Sequence, residues 1–166
     1  MMPISSDSFK DCLRYFPSGV TIVTIKSAGQ IHGLTISAFA SVSTDPPRIL
    51  IIVDHRHQAY PLMEDPGAVF AVNILAIDQR HLSERFAWVK DEDRYLEGDW
   101  ETAETGAPIL TDALAWLDCT IVGRFSTGTH HLYLGEVQAS KVPRPDGQPL
   151  VYWNRDYHGL SDDLVE

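Results

Sequence analysis

Five short hydroxyls, Thr35, Ser37, Ser41, Ser43 and Thr44, are threaded through the stretch HGLTISAFASVSTDPP at residues 32–47. On extended backbone, such side chains and the N–H groups beside them can bond a phosphate or the polar edge of a planar heterocycle. The same residues suit an edge strand on β propensity alone, so composition leaves both readings open. Histidines form the second group. His55 and His57 share one strand face, and His130 and His131 are adjacent. Paired imidazoles serve as metal ligands or pH-tuned contacts. No Cys or carboxylate accompanies them at ligand spacing, so no metal site is expected. Cys12 and Cys119 form neither a CxxC pair nor a zinc knuckle, and both read as buried structural thiols. The chain has no G-x-S-x-G elbow, Walker A loop, G-x-G-x-x-G turn or H-E-x-x-H helix.

What must hold these groups is one domain over residues 1–166, long enough to bury a core. A hydrophobic fraction of 44% and a charged fraction of 22% are those of an ordinary globular protein. The net charge of −10 argues against nucleic acid or anionic membrane as partner, although a phosphorylated small molecule needs only a local positive pocket. No apolar run reaches a membrane span, and the start MMPISSDSFK lacks a signal-sequence pattern, so a cytoplasmic location is expected.

Phe9, Cys12, Leu13 and Phe16 make one apolar stripe, which predicts a first helix with Ser6 or Asp7 as N-cap and a stop at Pro17-Ser18-Gly19. VTIVTIKS and a strand from Ile31 form a hairpin about Ala28-Gly29-Gln30. RILIIVD and GAVFAVNIL read as fully buried strands with the helical turn AYPLMED between them. DQRHLSERFAWV is a helix with Asp78 as N-cap and Leu82, Phe86 and Val89 on one face. Residues 90–111 are polar and expected to be irregular. LAWLDCTIVGRFS and HLYLGEVQASKV form a second hairpin about Thr127-Gly128-Thr129, and PLVYWN is a last short strand. Hairpins with so few covering helices predict a mainly β fold, an antiparallel barrel of six or seven strands with peripheral helices.

GLTISAFASVSTDPPRILIIV closely resembles the G-x-T-x-S-x-F-x-S-V-S-x-D-P-P segment of the flavin reductase family, the small split-barrel reductases of two-component flavin-dependent monooxygenases. The resemblance extends from YFPSGVTIVT through FAVNILAIDQRHLSERFA and LYLGEV to PLVYWNRDY. It implies an FMN-binding split barrel with a flavin along the 32–47 strand. Thr35, Ser37, Ala38 and Ser41 would contact the isoalloxazine edge and ribityl chain. The loop 54–58 would meet the phosphate, with Asp54, His55, Arg56 and His57 where many relatives carry Ser or Thr. Asn73, Gln79 and Phe86 match positions near the cofactor, although Phe86 also completes the helix stripe. Relatives typically show G-D-H in the second hairpin turn, with the His beside the nicotinamide. Here Gly128-Thr129-His130-His131 keeps Gly and His but lacks the acid, and either His130 or His131 can take the role. Tyr157 would stack on the nicotinamide or plug the barrel.

The activity implied is an NAD(P)H-dependent flavin reductase that passes a hydride from NADH or NADPH to FMN or FAD and supplies a partner monooxygenase. The rivals are a flavoprotein that holds FMN and reduces another acceptor, and a non-catalytic flavin carrier. A homodimer is expected, because the strands carry more apolar surface than the helices can cover.

Overall fold

β-Branched residues fill both faces of Thr21–Ser27, and Ala28 and Gly29 turn the chain with φ of 48° and 80° into Gln30–Ile36. The computed structural model describes residues 3–160. In it the strands are β1 (Ser18–Gly19), β2 (Thr21–Ser27), β3 (Gln30–Ile36), β4 (Phe39–Thr44), β5 (Pro47–Asp54) and β6 (Val69–Ile74). They continue with β7 (Trp100–Thr102), β8 (Pro108–Leu110), β9 (Ala115–Thr127), β10 (His130–Lys141), β11 (Val151–Trp153) and β12 (Asp156–His158). The helices are α1 (Ser6–Leu13), α2 (Ala59–Met63) and α3 (Arg80–Trp88).

Seven strands form one antiparallel sheet in the order β3-β2-β6-β9-β10-β5-β4. β3 and β4 are its two ends, yet only residues 37 and 38 separate them in sequence. Two residues span under about 11 Å even when extended, so the ends of the sheet must approach each other. No ladder joins them among the described residues. The sheet curls round and stops short of closure, with Ser37 and Ala38 across the gap.

Alternation sets the two faces. Val23, Ile25, Leu34, Ile49, Ile51, Val53, Phe70, Val72 and Tyr133 point inward, with Ala59 and Met63 of α2 packed among them. RILIIVD is therefore half-buried, because only its alternate residues face this core. Ile22, Leu75, Leu82, Phe86 and Leu110 form a second core, where α3 covers the outer face of the sheet. Gly33 permits this packing: a Cβ there would lie 2.4 Å from Phe86 Cε1.

Several expectations change. The N-cap of α1 is Ser5, whose hydroxyl accepts from Ser8 N, rather than Ser6 or Asp7. Asp78 does not cap α3. It lies in the 3-10 turn Ile77–Gln79, which forms the entry to the helix, and pairs with Arg144 instead. Residues 90–111 are more ordered than their polarity implies: a 3-10 helix at Asp91–Leu96 precedes the β7–β8 pair. PLVYWN joins a separate three-stranded sheet, β1-β11-β12. Cys119 is buried as expected, and burial pushes its thiol up to about 12, but Cys12 is exposed.

Candidate functional site

The connection between the sheet ends uses its carbonyls internally. Ser37 O accepts from Phe39 N and Ala38 O from Ile52 N. No acceptor among the described residues meets the N–H of Ser37 or Ala38, and both residues are exposed. Ser37 also borders three neighbouring cavities, of about 430, 320 and 220 Å³. The largest has apolar walls from Leu13, Phe16, Leu50 and Ile52.

The smallest cavity lies against α3, between Thr35, Ile36, Trp88, Tyr152 and Tyr157. Its polar wall is fixed from behind. Thr35 Oγ1 donates to Ser83 O at 2.6 Å, and Ser83 Oγ lies 2.8 Å from Tyr157 Oη. Ser83 is fully buried, so one residue of α3 ties β3 to β12. The Arg80 guanidinium sits 4.9 Å from the centre of the Tyr157 ring.

A third group gathers at the end of β5. Strand register sets His130 opposite Asp54 and His131 opposite Val53. Because Ile52 bonds Ala38, the loop 54–58 starts about 7 Å beyond the 37–38 connection. Arg56 grips Asp54 through its side chain and its N–H, and holds the carboxyl well below the usual carboxylate range. His130 Nε2 lies 4.0 Å from Asp54 Oδ2, while its Nδ1 is 2.8 Å from Thr129 Oγ1. An acid from β5 thus stands near the histidine whose own turn lacks one. His55 and His131 rings are 5.0 Å apart, and each has a buried nitrogen with no partner among the described residues. His57 accepts from Ala59 N and is lowered below its ordinary 6.5 by burial, with Arg94 adding repulsion. The loop's N–H groups are largely taken: His55 N donates to Thr129 O and His57 N to Asp54 O.

Thr35, Ser37 and Tyr157 therefore line one cavity and Ala38 lines the adjoining one, while Asp54, His55, Arg56 and His130 form a separate group further along β5 and His57 packs against His32. Asn73, Gln79, Phe86 and Ser41 stand apart. Asn73 is fully buried, where its amide donates to Ile22 O and accepts from Leu110 N. Gln79 accepts from Ala76 N and donates to Asp112 O. Phe86 belongs to the second core. Ser41 is exposed on β4 and lines none of the three cavities. Among the described residues no group of three His, Cys, Asp or Glu is arranged to hold a metal ion.

Two contributors escaped the sequence reading. Ser83 carried a signal: a serine beside Leu82 on the buried face of a helix needs a partner. Ser18 borders two of the cavities, although its sequence context marks only the stop of a helix.

Unpaired N–H groups beside a hydroxyl, flanked by an apolar wall and aromatic rings, define a site for a flat ligand with a polar edge. A flavin satisfies that description. The profile described as "Flavin reductase like domain" matches residues 13–161, and the chain belongs to this family. It is 34% identical over 160 residues to the actinorhodin polyketide dimerase of Streptomyces coelicolor, covering 96% of this chain and 89% of that protein. It is 31% identical over 159 residues to the reductase subunit HsaB of a Mycobacterium tuberculosis flavin-dependent monooxygenase, covering 95% of this chain and 84% of that subunit. Among solved structures, the Streptomyces globisporus NADH:FAD oxidoreductase SgcE6, in complex with NAD and FAD fragments, superposes with a TM-score of 0.86. That match has 28% identity and covers 99% of this chain and all of SgcE6.

Proposed function

We propose that this protein is an NAD(P)H-dependent flavin reductase that uses FMN or FAD and hands reduced flavin to a partner monooxygenase. The observation that carries the reading is the 37–38 connection, with two unpaired N–H groups and a hydroxyl where three cavities meet, in a chain of the flavin reductase-like family. Bound flavin supplies the redox chemistry, accepting the hydride that leaves the nicotinamide.

The chain's own residues bind and orient. The N–H groups of Ser37 and Ala38 and the Ser37 hydroxyl hold the polar ring edge, where reduction adds negative charge. Thr35 spends its proton on Ser83 O and so offers an oxygen lone pair as acceptor. Ser83 fixes the Tyr157 hydroxyl, which leaves that ring as a wall for a stacked heterocycle. His130 faces the hydride donor, steadied by Thr129 and Asp54. His55 and Arg56 stand in the loop 54–58, where the family resemblance sets the flavin's phosphate. None of these roles needs a general base, because a hydride moves with its electron pair.

The test is NADH oxidation by purified protein under flavin titration. Saturable dependence on added FMN or FAD supports the reading; turnover independent of added flavin, or none at all, defeats it. His130→Ala should raise the KM for NADH while flavin affinity, read by fluorescence quenching, holds. The reverse pattern removes His130 from its role.

We also infer a cytoplasmic homodimer. Supporting it, Phe9, Leu13 and Phe16 of the α1 stripe and its extension are 52, 51 and 71% exposed in the single chain, an apolar face normally buried by association. No described helix is long and apolar enough to cross a membrane. Light scattering should give twice the chain mass of 18.6 kDa; a fully active species at 18.6 kDa defeats the dimer.

A further inference from the structure

The 320 Å³ cavity beside Ser37 differs from its neighbours in charge. Lys10, Arg14 and Arg155 line it, together with Ser18, Asn154 and the Trp153 ring. The chain's net charge is −10, and its other arginines are largely engaged elsewhere. Arg48, Arg56, Arg80, Arg85 and Arg144 pair with carboxylates at 2.6–3.0 Å. Arg124 donates to the carbonyls of Met63 and Asp65. At this cavity the only acid among the described residues paired with the cations is Asp11, 3.5 Å from Arg14 and 3.7 Å from Arg155. Three positive charges against one leave a net positive site.

The walls are built. Asn154 N donates to Arg14 O and Trp153 Nε1 donates to Tyr15 O, so the β11–β12 turn takes up carbonyls at the end of α1. Those contacts satisfy the negative end of the helix, which would otherwise repel an anion. Asn154 and Arg155 adopt φ of 50° and 69°, the left-handed turn of a tight hairpin, which fixes where Arg155 leaves the backbone. Arg14 Nε is buried with no acceptor among the described residues. Its Nη1 pairs with Asp11 and its Nη2 donates to Tyr15 Oη, which holds the guanidinium, about a third exposed, at the cavity wall.

We propose that this cavity binds a nucleotide phosphate, with Lys10, Arg14 and Arg155 as its cationic donors. The inference rests on the flavin reductase reading, since Ser37 is common to this cavity and to the ring site. It also follows from the loop 54–58, whose N–H groups are largely committed and whose Arg56 is held by Asp54. Two substrates carry the required chemistry, the phosphate tail of the flavin and the diphosphate of the nicotinamide dinucleotide.

The experiment compares wild type with a Lys10→Ala/Arg155→Ala variant. Riboflavin, FMN and FAD binding are read by fluorescence quenching, ADP binding by calorimetry, and the KM for NADH by turnover. If the flavin tail is bound, FMN and FAD weaken about tenfold and riboflavin does not. If the dinucleotide is bound, ADP affinity falls and the KM for NADH rises about tenfold, while all three flavins hold. Either result supports the site. Unchanged FMN, FAD, ADP and NADH parameters overturn it, as does an equal loss for riboflavin, which has no phosphate. Failure of the wild type to bind any flavin would instead strike the reductase reading itself.

Discussion

α1 and α3 both carry an apolar stripe at helical spacing, and they use it in opposite ways. α3 buries Leu82, Ser83 and Phe86, and its serine fixes one wall of the site. α1 buries nothing, and its stripe borders open cavities from outside. A helix that serves as core can hold a side chain in place. One left uncovered can only supply surface, for a ligand or for a second chain. Periodicity reports amphipathicity and does not say what the apolar face meets.

Core substitutions should separate the two helices most sharply. Phe86→Ala should cost about 3–5 kcal/mol in urea unfolding, whereas Phe16→Ala should stay within about 0.5 kcal/mol at monomer concentrations. Equal losses would break the contrast. Gly33→Ala probes the same contact from the sheet side. Its β-carbon would meet Phe86 at 2.4 Å and Tyr95 Oη at 2.9 Å, so a loss of about 1–3 kcal/mol in a thermal melt is expected. Ser37→Val sits between the territories of the two helices. It should fold normally and lose about 1–3 kcal/mol of flavin binding by fluorescence titration, and undiminished affinity would detach the 37–38 connection from the ligand.

The smallest effect concerns pH. His57 titrates below its ordinary 6.5 in the fold because burial disfavours its charged form. The unfolded chain therefore takes up this proton first as pH falls. His57's share of stability is full above about 6.5 and is lost as pH drops through the lowered value. Urea midpoints at pH 7.5 and 5.5 should fall less in His57→Asn than in wild type. An identical decline would place the acid sensitivity elsewhere.

Most strands of the large sheet were readable because apolar runs and turn residues record them directly. The break at 37–38 that sends β3 and β4 to opposite ends of the sheet was not readable, since 32–47 reads as one strand. β7 and β8 were not, since three-residue strands carry too little pattern and rely on Trp100 and Leu110 packing against distant residues. Within the site, the hydroxyls of 32–47 stood out by type, but only Ser37 falls in the connection that borders the cavities, whereas Ser41 lies within β4. Asn73 and Gln79 show the same difficulty: an amide that bonds its own backbone has the same letter as one that awaits a ligand. Arg94 sits buried against Gly33 O and His32 within a polar segment, and no local pattern marks such a burial.

The docking of α1 through main-chain carbonyls has an evolutionary consequence. Asn154 N and Trp153 Nε1 grip Arg14 O and Tyr15 O, atoms that persist whatever side chain stands at residues 14 and 15. Position 10, and the side chain of residue 14, can therefore drift without releasing the helix from the turn. Mutation can alter the charge facing the cavity while leaving the scaffold's attachments intact, so selection can retune ligand preference at this margin at little cost in folding.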